Sequence, residues 1–441
     1  MSPCDNYSLR FRDHLTIKDD SLRMDGYSCE KLAEEYGTPL YVLSEKRIRH
    51  NFRNLNGELS KAYRNVLVCP AYKANSHLAV SRIYQTEGAG AEVVSPAELR
   101  IALETGVPPK KIVYNGPVKK TADLEFAISS DVGLINADSL PEIERMHEAA
   151  ECVQKTCNVG IRINLGVHPD THPHLATAQR EHKFGVWIDD AVAAYENTAK
   201  RSNLSIVGMH CHIGSNITQP KVFHETAATM FKLAKQVNEK LDVQLTKIDL
   251  GGGLGFPYEA NSPTLAHRDF ASAILTDNKN LLEELGNPTV IFEPGRAIIA
   301  DAGILLTRVE VVKKQGGVNW AIVDAGMNTF IRPVLYGAKH QVVAVNKASR
   351  LAGKSYDLGG PCCESGDIIA KDTLLAELER GDLLAVLDVG AYGFTMSSNY
   401  NGQPRPAVVL VSNGKSQLIR RREGYEDLVA GETIPPHLAI K

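Results

Sequence analysis

Between Val66 and Phe292, short apolar runs rich in β-branched residues alternate with longer stretches whose apolar positions recur at helical spacing. The predicted strands are Val66–Tyr72, Ala89–Val94, Lys111–Tyr114, Val132–Ile135, Asn158–Asn164, Ser205–His212, Thr246–Leu250 and Thr289–Phe292. Helices fit between them at His77–Glu87, Pro96–Thr105, Thr121–Ser129, Leu140–Cys152, Asp189–Arg201, Lys221–Lys240 and Phe270–Leu285. Near-continuous apolar runs suit strands buried on both faces of a parallel sheet. Eight strand-helix units in roughly 230 residues fit a (β/α)8 barrel of the TIM type, with an open doubly wound sheet as the competing architecture. A barrel places chemistry at the C-terminal ends of its strands.

The flanks differ. Alternating patches around Leu9 to Leu15 and Ser21 to Tyr27 precede a helix over Cys29–Tyr36, a strand at Leu40–Leu43 and a helix over Glu45–Tyr63. After Arg296 short strands separated by turns predict an antiparallel β sandwich or barrel: Leu305–Val312, Trp320–Asp324, Gln341–Val345, Leu383–Val389, Ala407–Val411 and Ser416–Arg421. The predicted barrel domain is 39–296.

Composition narrows the classes. A chain of 441 residues is too long for one small core, which agrees with two domains. A formal net charge of -3 offers no basic field for nucleic acid. The eight cysteines contain no CxxC pair, so neither a zinc ribbon nor a disulfide framework is expected, and a reducing compartment fits. The polar N-terminus and the absence of any run long enough to span a bilayer predict a soluble, cytoplasmic protein.

The residues that follow the predicted strands are Lys73, the Glu92–Ser95 segment, Asn115, Asn136, Arg162 with Asn164, His210 and His212 with Ser215, Gly251–Gly253, and Glu293–Arg296. A lysine, a glycine-rich turn able to wrap a phosphate, and an acid in a buried setting suggest pyridoxal phosphate, held by the lysine as a Schiff base. His210 and His212 share a strand face and could instead ligate zinc with His172 and His174, but the second pair sits in a polar loop, and no metal is expected.

At these motifs the chain resembles the fold-type III pyridoxal-phosphate decarboxylases, and among them the branch acting on diaminopimelate. The segments that carry the resemblance run from about Tyr36 to Val429. They are Tyr72-Lys-Ala-Asn75, Gly90-Ala-Glu-Val-Val-Ser95, His182-Lys-Phe-Gly185, His210-Cys-His-Ile-Gly-Ser215, Asp249-Leu-Gly-Gly-Gly-Leu-Gly255, Glu293-Pro-Gly-Arg296, Asp324-Ala-Gly-Met-Asn328, Arg332-Pro-Val-Leu-Tyr336, Gly360-Pro-Cys-Cys-Glu-Ser-Gly-Asp367 and Gly390-Ala-Tyr392 through Ser398-Asn-Tyr-Asn401. The resemblance implies a β domain made of 1–38 with 297–441. It also implies Lys73 as the Schiff-base lysine, His212 stacked on the cofactor ring, and Glu293 on the pyridine nitrogen. Ser215, Gly252, Gly253, the backbone of Gly295 and Arg296, and Tyr392 are implied around the phosphate. Cys363 holds the place of a thiol that reaches the site from a partner subunit, which implies a homodimer with shared sites.

For a substrate with an amino-acid group at each end, Arg296, Arg332 and Tyr336 are placed to hold the distal carboxylate and Glu364 the distal ammonium. The activity implied is removal of the D-centre carboxylate of meso-diaminopimelate, giving L-lysine and CO2. Departures from the family pattern include Glu92 in place of a usual aspartate, Pro96 in place of a glycine, Ala178 after Thr177, and Gly402-Gln403. They leave open another D-amino acid substrate, such as D-ornithine, D-lysine or a siderophore precursor. A non-catalytic binder would not need Lys73, Cys363 and Glu293 together, and a racemase would need a tyrosine where Cys363 stands.

Overall fold

Eight short parallel strands form the main path of one sheet: β1 (Val66–Val68), β2 (Ala91–Val93), β3 (Ile112–Tyr114), β4 (Leu134–Ala137), β5 (Cys157–Asn164), β6 (Leu204–His210), β7 (Lys247–Asp249) and β8 (Thr289–Phe292), with the short strand Val186–Trp187 paired beside β5 off that path. The structure, a computed structural model, describes residues 13–167, 183–259 and 262–439. The sheet runs β1-β8-β7-β6-β5-β4-β3-β2, the cyclic order of a barrel and not that of a doubly wound sheet. The ring is nearly closed. Beyond β1 the extended chain pairs with β2 through an Ala71–Glu92 bridge, with Gly90 N donating to Val68 O at 2.9 Å and Glu92 N to Pro70 O at 3.1 Å.

Alternation along the strands stacks two layers of different chemistry. Cys69, Val113, Leu134 and Ile291 form one buried apolar cluster, with Leu67 and Val207 packed on it. Two positions further along their strands, on the same face, come Asn115, Asn136 and Glu293. The polar layer thus lies at the strands' C-terminal ends. Gly160 on β5 makes room for it, since a Cβ there would sit 2.2 Å from Asn136 Oδ1.

Helices wrap this unit, and their starts are fastened to it. Ser95 Oγ accepts from Glu98 N at 3.2 Å while Glu98 Oε2 accepts from Val94 N at 2.8 Å, a reciprocal cap for the helix Pro96–Glu104. Glu142, in the first turn of Leu140–Cys152, accepts from Asp138 N at 2.8 Å and from Lys119 Nζ at 2.9 Å; both members of that ion pair are fully buried. The predicted helix over Phe270–Leu285 is instead His267–Ala271, a π turn at Ser272–Thr276 and Lys279–Glu284. Asn278 Nδ2 donates to the carbonyls of Ala273 and Ile274 at the break.

The chain divides into two compact units, 47–300 and 1–46 with 301–441. The predicted division at 39 and 296 shifts, because Leu40–Ser44 belongs to the second sheet: it pairs antiparallel with Gly303–Gln315 and parallel with Ala407–Ser412. That sheet has nine strands and is mixed, not purely antiparallel as expected, since Val318–Val323 also pairs parallel with Lys354–Gly359. Lys354–Gly359 and Ile368–Leu375 are strands without a sequence counterpart above. Leu15, Leu22, Met24 and Leu32 from the N-terminal part join Ile304, Leu306, Val409 and their neighbours in one core, so residues near the N-terminus complete this unit. Of the Leu9–Leu15 patch, residues 9–12 lie outside the described residues. Among the described residues no helix is long and apolar enough to cross a membrane.

Candidate active site

Lys73 stands on a short turn, Tyr72–Ala74, just past the bridge that closes the ring. Its Nζ donates to Glu92 Oε2 at 2.7 Å, and 39 % of its side chain remains exposed while Glu92 is buried. From Glu92 the network continues around the rim. Asn115 Nδ2 donates to Glu92 Oε1 at 3.2 Å and to Glu293 Oε1 at 2.5 Å, and Asn136 Nδ2 donates to Asn115 Oδ1 at 2.8 Å. Arg162, itself buried, lies 3.5 Å from Asp138 Oδ1 and over the Phe184 ring.

On the opposite strands, His210 Nε2 lies 3.6 Å from Glu293 Oε2, and Asp249 Oδ1 accepts from Gly251 N at 2.9 Å. His210, Asp249 and Glu293 bring one donor or acceptor atom each within 4.8 Å of one another. All three are buried. His212 Nδ1 accepts from Gly252 N at 3.2 Å. Arg296 donates to Ser215 Oγ at 3.1 Å and to Tyr258 Oη at 2.9 Å, with the guanidinium over the Tyr258 ring.

These neighbours decide the charges. Burial lifts the Glu92 carboxyl above its ordinary range, although Lys73 opposes the rise. Burial and the adjacent Glu293 push Asp249 well up. Burial also works against ionised Glu293, but His210 and then Lys73 outweigh it and hold that carboxyl at about 2. Desolvation, then Lys73 and Arg162, lower the His212 ring to about 3, so it is neutral near pH 7. One carboxylate beside a neutral imidazole suits a cationic aromatic ring whose protonated nitrogen faces the acid.

The glycine turn after β7 is a cradle that side chains would fill. A Cβ on Gly252 would fall 2.3 Å from Glu293 O, and one on Gly253, at φ +103, 2.7 Å from Gly214 O. Without side chains the turn lets the backbone come close to a phosphate, although the Gly251 and Gly252 N–H groups are already given to Asp249 and His212. Donor set, neutral imidazole and cradle therefore fit pyridoxal phosphate.

The remaining expected residues belong to the second unit. Arg332 and Tyr336 lie on one short helix, the buried guanidinium 5.8 Å from the Tyr336 ring centre. Cys363 is exposed on the turn between two strands, and the adjacent Glu364 accepts from Tyr400 Oη. Asp367 ties that turn down, its carboxylate accepting from Met327 N at 2.6 Å and Cys362 N at 2.7 Å. Cys362 is buried with Sγ 3.4 Å from Asn328 Oδ1, and burial raises its thiol to about 11. Tyr392 takes the left-handed conformation, φ 56.

Lys73, His212, Ser215, Gly252, Gly253, Glu293, Gly295 and Arg296 thus share the barrel unit, whereas Cys363, Glu364, Arg332, Tyr336 and Tyr392 sit in the other. Asp249 and Tyr258 had no assigned role in the sequence reading. The acid before a triple glycine was a usable signal for the first; nothing marked the second. His172 and His174, the other half of the conceivable zinc set, lie outside the described residues, as does the loop His168–His182.

Residues 45–300 match the family described as pyridoxal-dependent decarboxylase, pyridoxal binding domain. The chain is similar to the diaminopimelate decarboxylase of Pseudomonas aeruginosa, 41% identical over 426 residues that span 96% of this chain and 100% of that one. It is 40% identical to that of Aquifex aeolicus over 95% of this chain and 97% of the relative. The crystal structure of the Methanocaldococcus jannaschii diaminopimelate decarboxylase in co-complex with L-lysine superposes with a TM-score of 0.91 at 37% identity, covering 97% of this chain and 99% of that one.

Proposed function

The chain belongs to the diaminopimelate decarboxylases of the pyridoxal-dependent decarboxylase family, and on that premise we propose which of its residues perform the reaction. When bound, pyridoxal phosphate supplies an aldehyde for attachment and a ring that accepts the electron pair left as CO2 departs.

Lys73 is the attachment point, and Glu92, its ion-pair partner, holds the amine at the rim until the aldehyde arrives. Glu293, ionised across the working range, keeps the ring nitrogen protonated; neutral His212 covers one ring face without adding a competing charge. Ser215, Gly252, Gly253, the Gly295 and Arg296 backbone, and Tyr392 surround the phosphate. Arg296, Arg332 and Tyr336 take the distal carboxylate of meso-2,6-diaminopimelate and Glu364 its distal ammonium. Cys363 gives its proton to the carbon that has lost CO2, at the D-centre, yielding L-lysine. The thiol comes from a second copy of the chain, so the working form is a homodimer with two shared sites.

What carries this reading is the meeting of Lys73, His212, Glu293 and the glycine cradle at the strand ends of one barrel. Borohydride reduction and peptide mapping are expected to find the cofactor on Lys73. CO2 release is expected to be fast from meso-diaminopimelate and far slower, though measurable, from D-lysine or D-ornithine, with none from the L-forms. Arg332→Ala should depress turnover of diaminopimelate steeply and slow turnover of a simple diamino acid far less; equal losses would remove the distal-carboxylate role. Mixing inactive Lys73→Ala and Cys363→Ala proteins should restore up to about a quarter of wild-type activity if sites are shared, and none if each chain is self-sufficient.

A further inference from the structure

The buried acids outnumber what the reaction uses. Glu293 has an assigned partner in the cofactor and Glu92 has Lys73, but Asp249 has neither a cation nor a reacting group. Asp249 is fully buried, one oxygen satisfied by Gly251 N and the other, Oδ2, without a hydrogen-bond donor. Glu293, equally enclosed, lies beside it within the 4.8 Å cluster, and His210 completes the triangle with no hydrogen bond to either ring nitrogen. Two carboxylates cannot both stay ionised at that separation in a site closed to water. The other charged and titratable groups that act on the pair are Cys69, Glu92, Lys73, Arg162, Cys211 and His212. Lys73 is engaged by Glu92 and Arg162 by Asp138, so neither is available to neutralise a second charge.

We propose that Asp249 and Glu293 share one proton, carried by Asp249 as a neutral acid that donates to Glu293, and that this acid is a positioning residue for the carboxylate facing the cofactor's ring nitrogen. The opposite displacements of the two carboxyls, Asp249 far up and Glu293 down to about 2, agree with that assignment of the proton. Gly251 N fixes the acid's first oxygen and leaves the second without a partner, while Asn115 holds Glu293 by Oε1. Held between Asn115 and a neutral acid, Glu293 cannot swing away when its charge is taken up by the ring.

The second half of this rests on the role given to Glu293 above, so the test has two independent arms. In the first, infrared difference spectra of the full-length protein before cofactor is added are expected to contain, at neutral pH, the carbonyl band of a protonated carboxylic acid that disappears in Asp249→Asn. Absence of the band from the wild type, or its persistence in the variant, overturns the proposal. So does a divalent cation retained in stoichiometric amount by the wild-type protein and lost with Asp249→Asn. In the second arm, magnetic resonance of cofactor labelled at the ring nitrogen reads protonation directly. Asp249→Asn, which keeps shape and a donor, should leave that nitrogen protonated and cofactor affinity within about threefold, while Asp249→Leu should lose about tenfold or more in affinity. Deprotonation in Asp249→Asn as complete as in Glu293→Gln would overturn the neutral acid. A nitrogen still protonated in Glu293→Gln would instead remove the role given to Glu293, leaving the infrared result to decide the shared proton alone.

Discussion

The two units hold chemical groups in opposite ways. At the barrel's strand ends, Glu92, Asn115, Asn136, Asp249, His210 and Glu293 are all buried, and hydrogen bonds from strand to strand tie Glu92, Asn115, Asn136 and Glu293 together. In the second unit Cys363 and Glu364 sit on an exposed turn whose order comes from one buried carboxylate, Asp367, gripping backbone N–H groups. Tuning by burial needs the first arrangement; reaching toward another surface needs the second. A substitution in the barrel should therefore disturb charge, cofactor and stability together, whereas one on the turn should separate activity from stability.

The sharpest contrast comes from Lys73→Ala, which should lower kcat by about a thousandfold or more and abolish the visible absorption of the bound cofactor. Next, Lys119→Met removes the buried cation of Glu142, leaving Arg145 at 3.8 Å, and should cost about 3 kcal/mol in chemical denaturation. If the barrel tolerates that change, its interlocking is weaker than described. Asp367→Ala is the matching blow to the turn: about 2 to 3 kcal/mol of stability, together with lower turnover as the Cys363 segment loosens. Cys363→Ser should reduce kcat by about a hundredfold while changing stability by no more than about 0.5 kcal/mol; a large loss of stability would erase the distinction between the units.

The smallest effect is one of pH. Burial, then Glu92, raises Glu98 from 4.5 to about 7. A carboxyl raised in the folded state costs nothing below the unfolded value, where both states are protonated, and destabilises progressively as pH climbs from 4.5 through about 7. Glu98→Gln keeps an acceptor for Val94 N, so it should gain about 1 to 3 kcal/mol relative to wild type at pH 8 and nearly nothing at pH 4. Equal differences at both pH values would show that the group is not displaced.

How much of this could be read from the chain follows the range of the forces involved. Barrel strands advertise themselves because both faces are buried, and the chemical residues lie two positions beyond apolar ones, so their layer could be inferred. Leu40–Ser44 could not be placed: its sequence reads like the first strand of a barrel unit, and partners some 260 and 370 positions away decide its sheet. Lys354–Gly359 and Ile368–Leu375 escaped because polar residues interrupt them. The role of Asp249 was hidden for a different reason, since a buried acid and a turn acid look alike until the neighbouring strand supplies Glu293.

The seam where Ala71 meets Glu92 joins the first strand to the second, and the same few residues carry Lys73 and its carboxylate. The amine and its carboxylate thus meet only where the first two strands are paired, so a change that parts those strands would also part the ion pair.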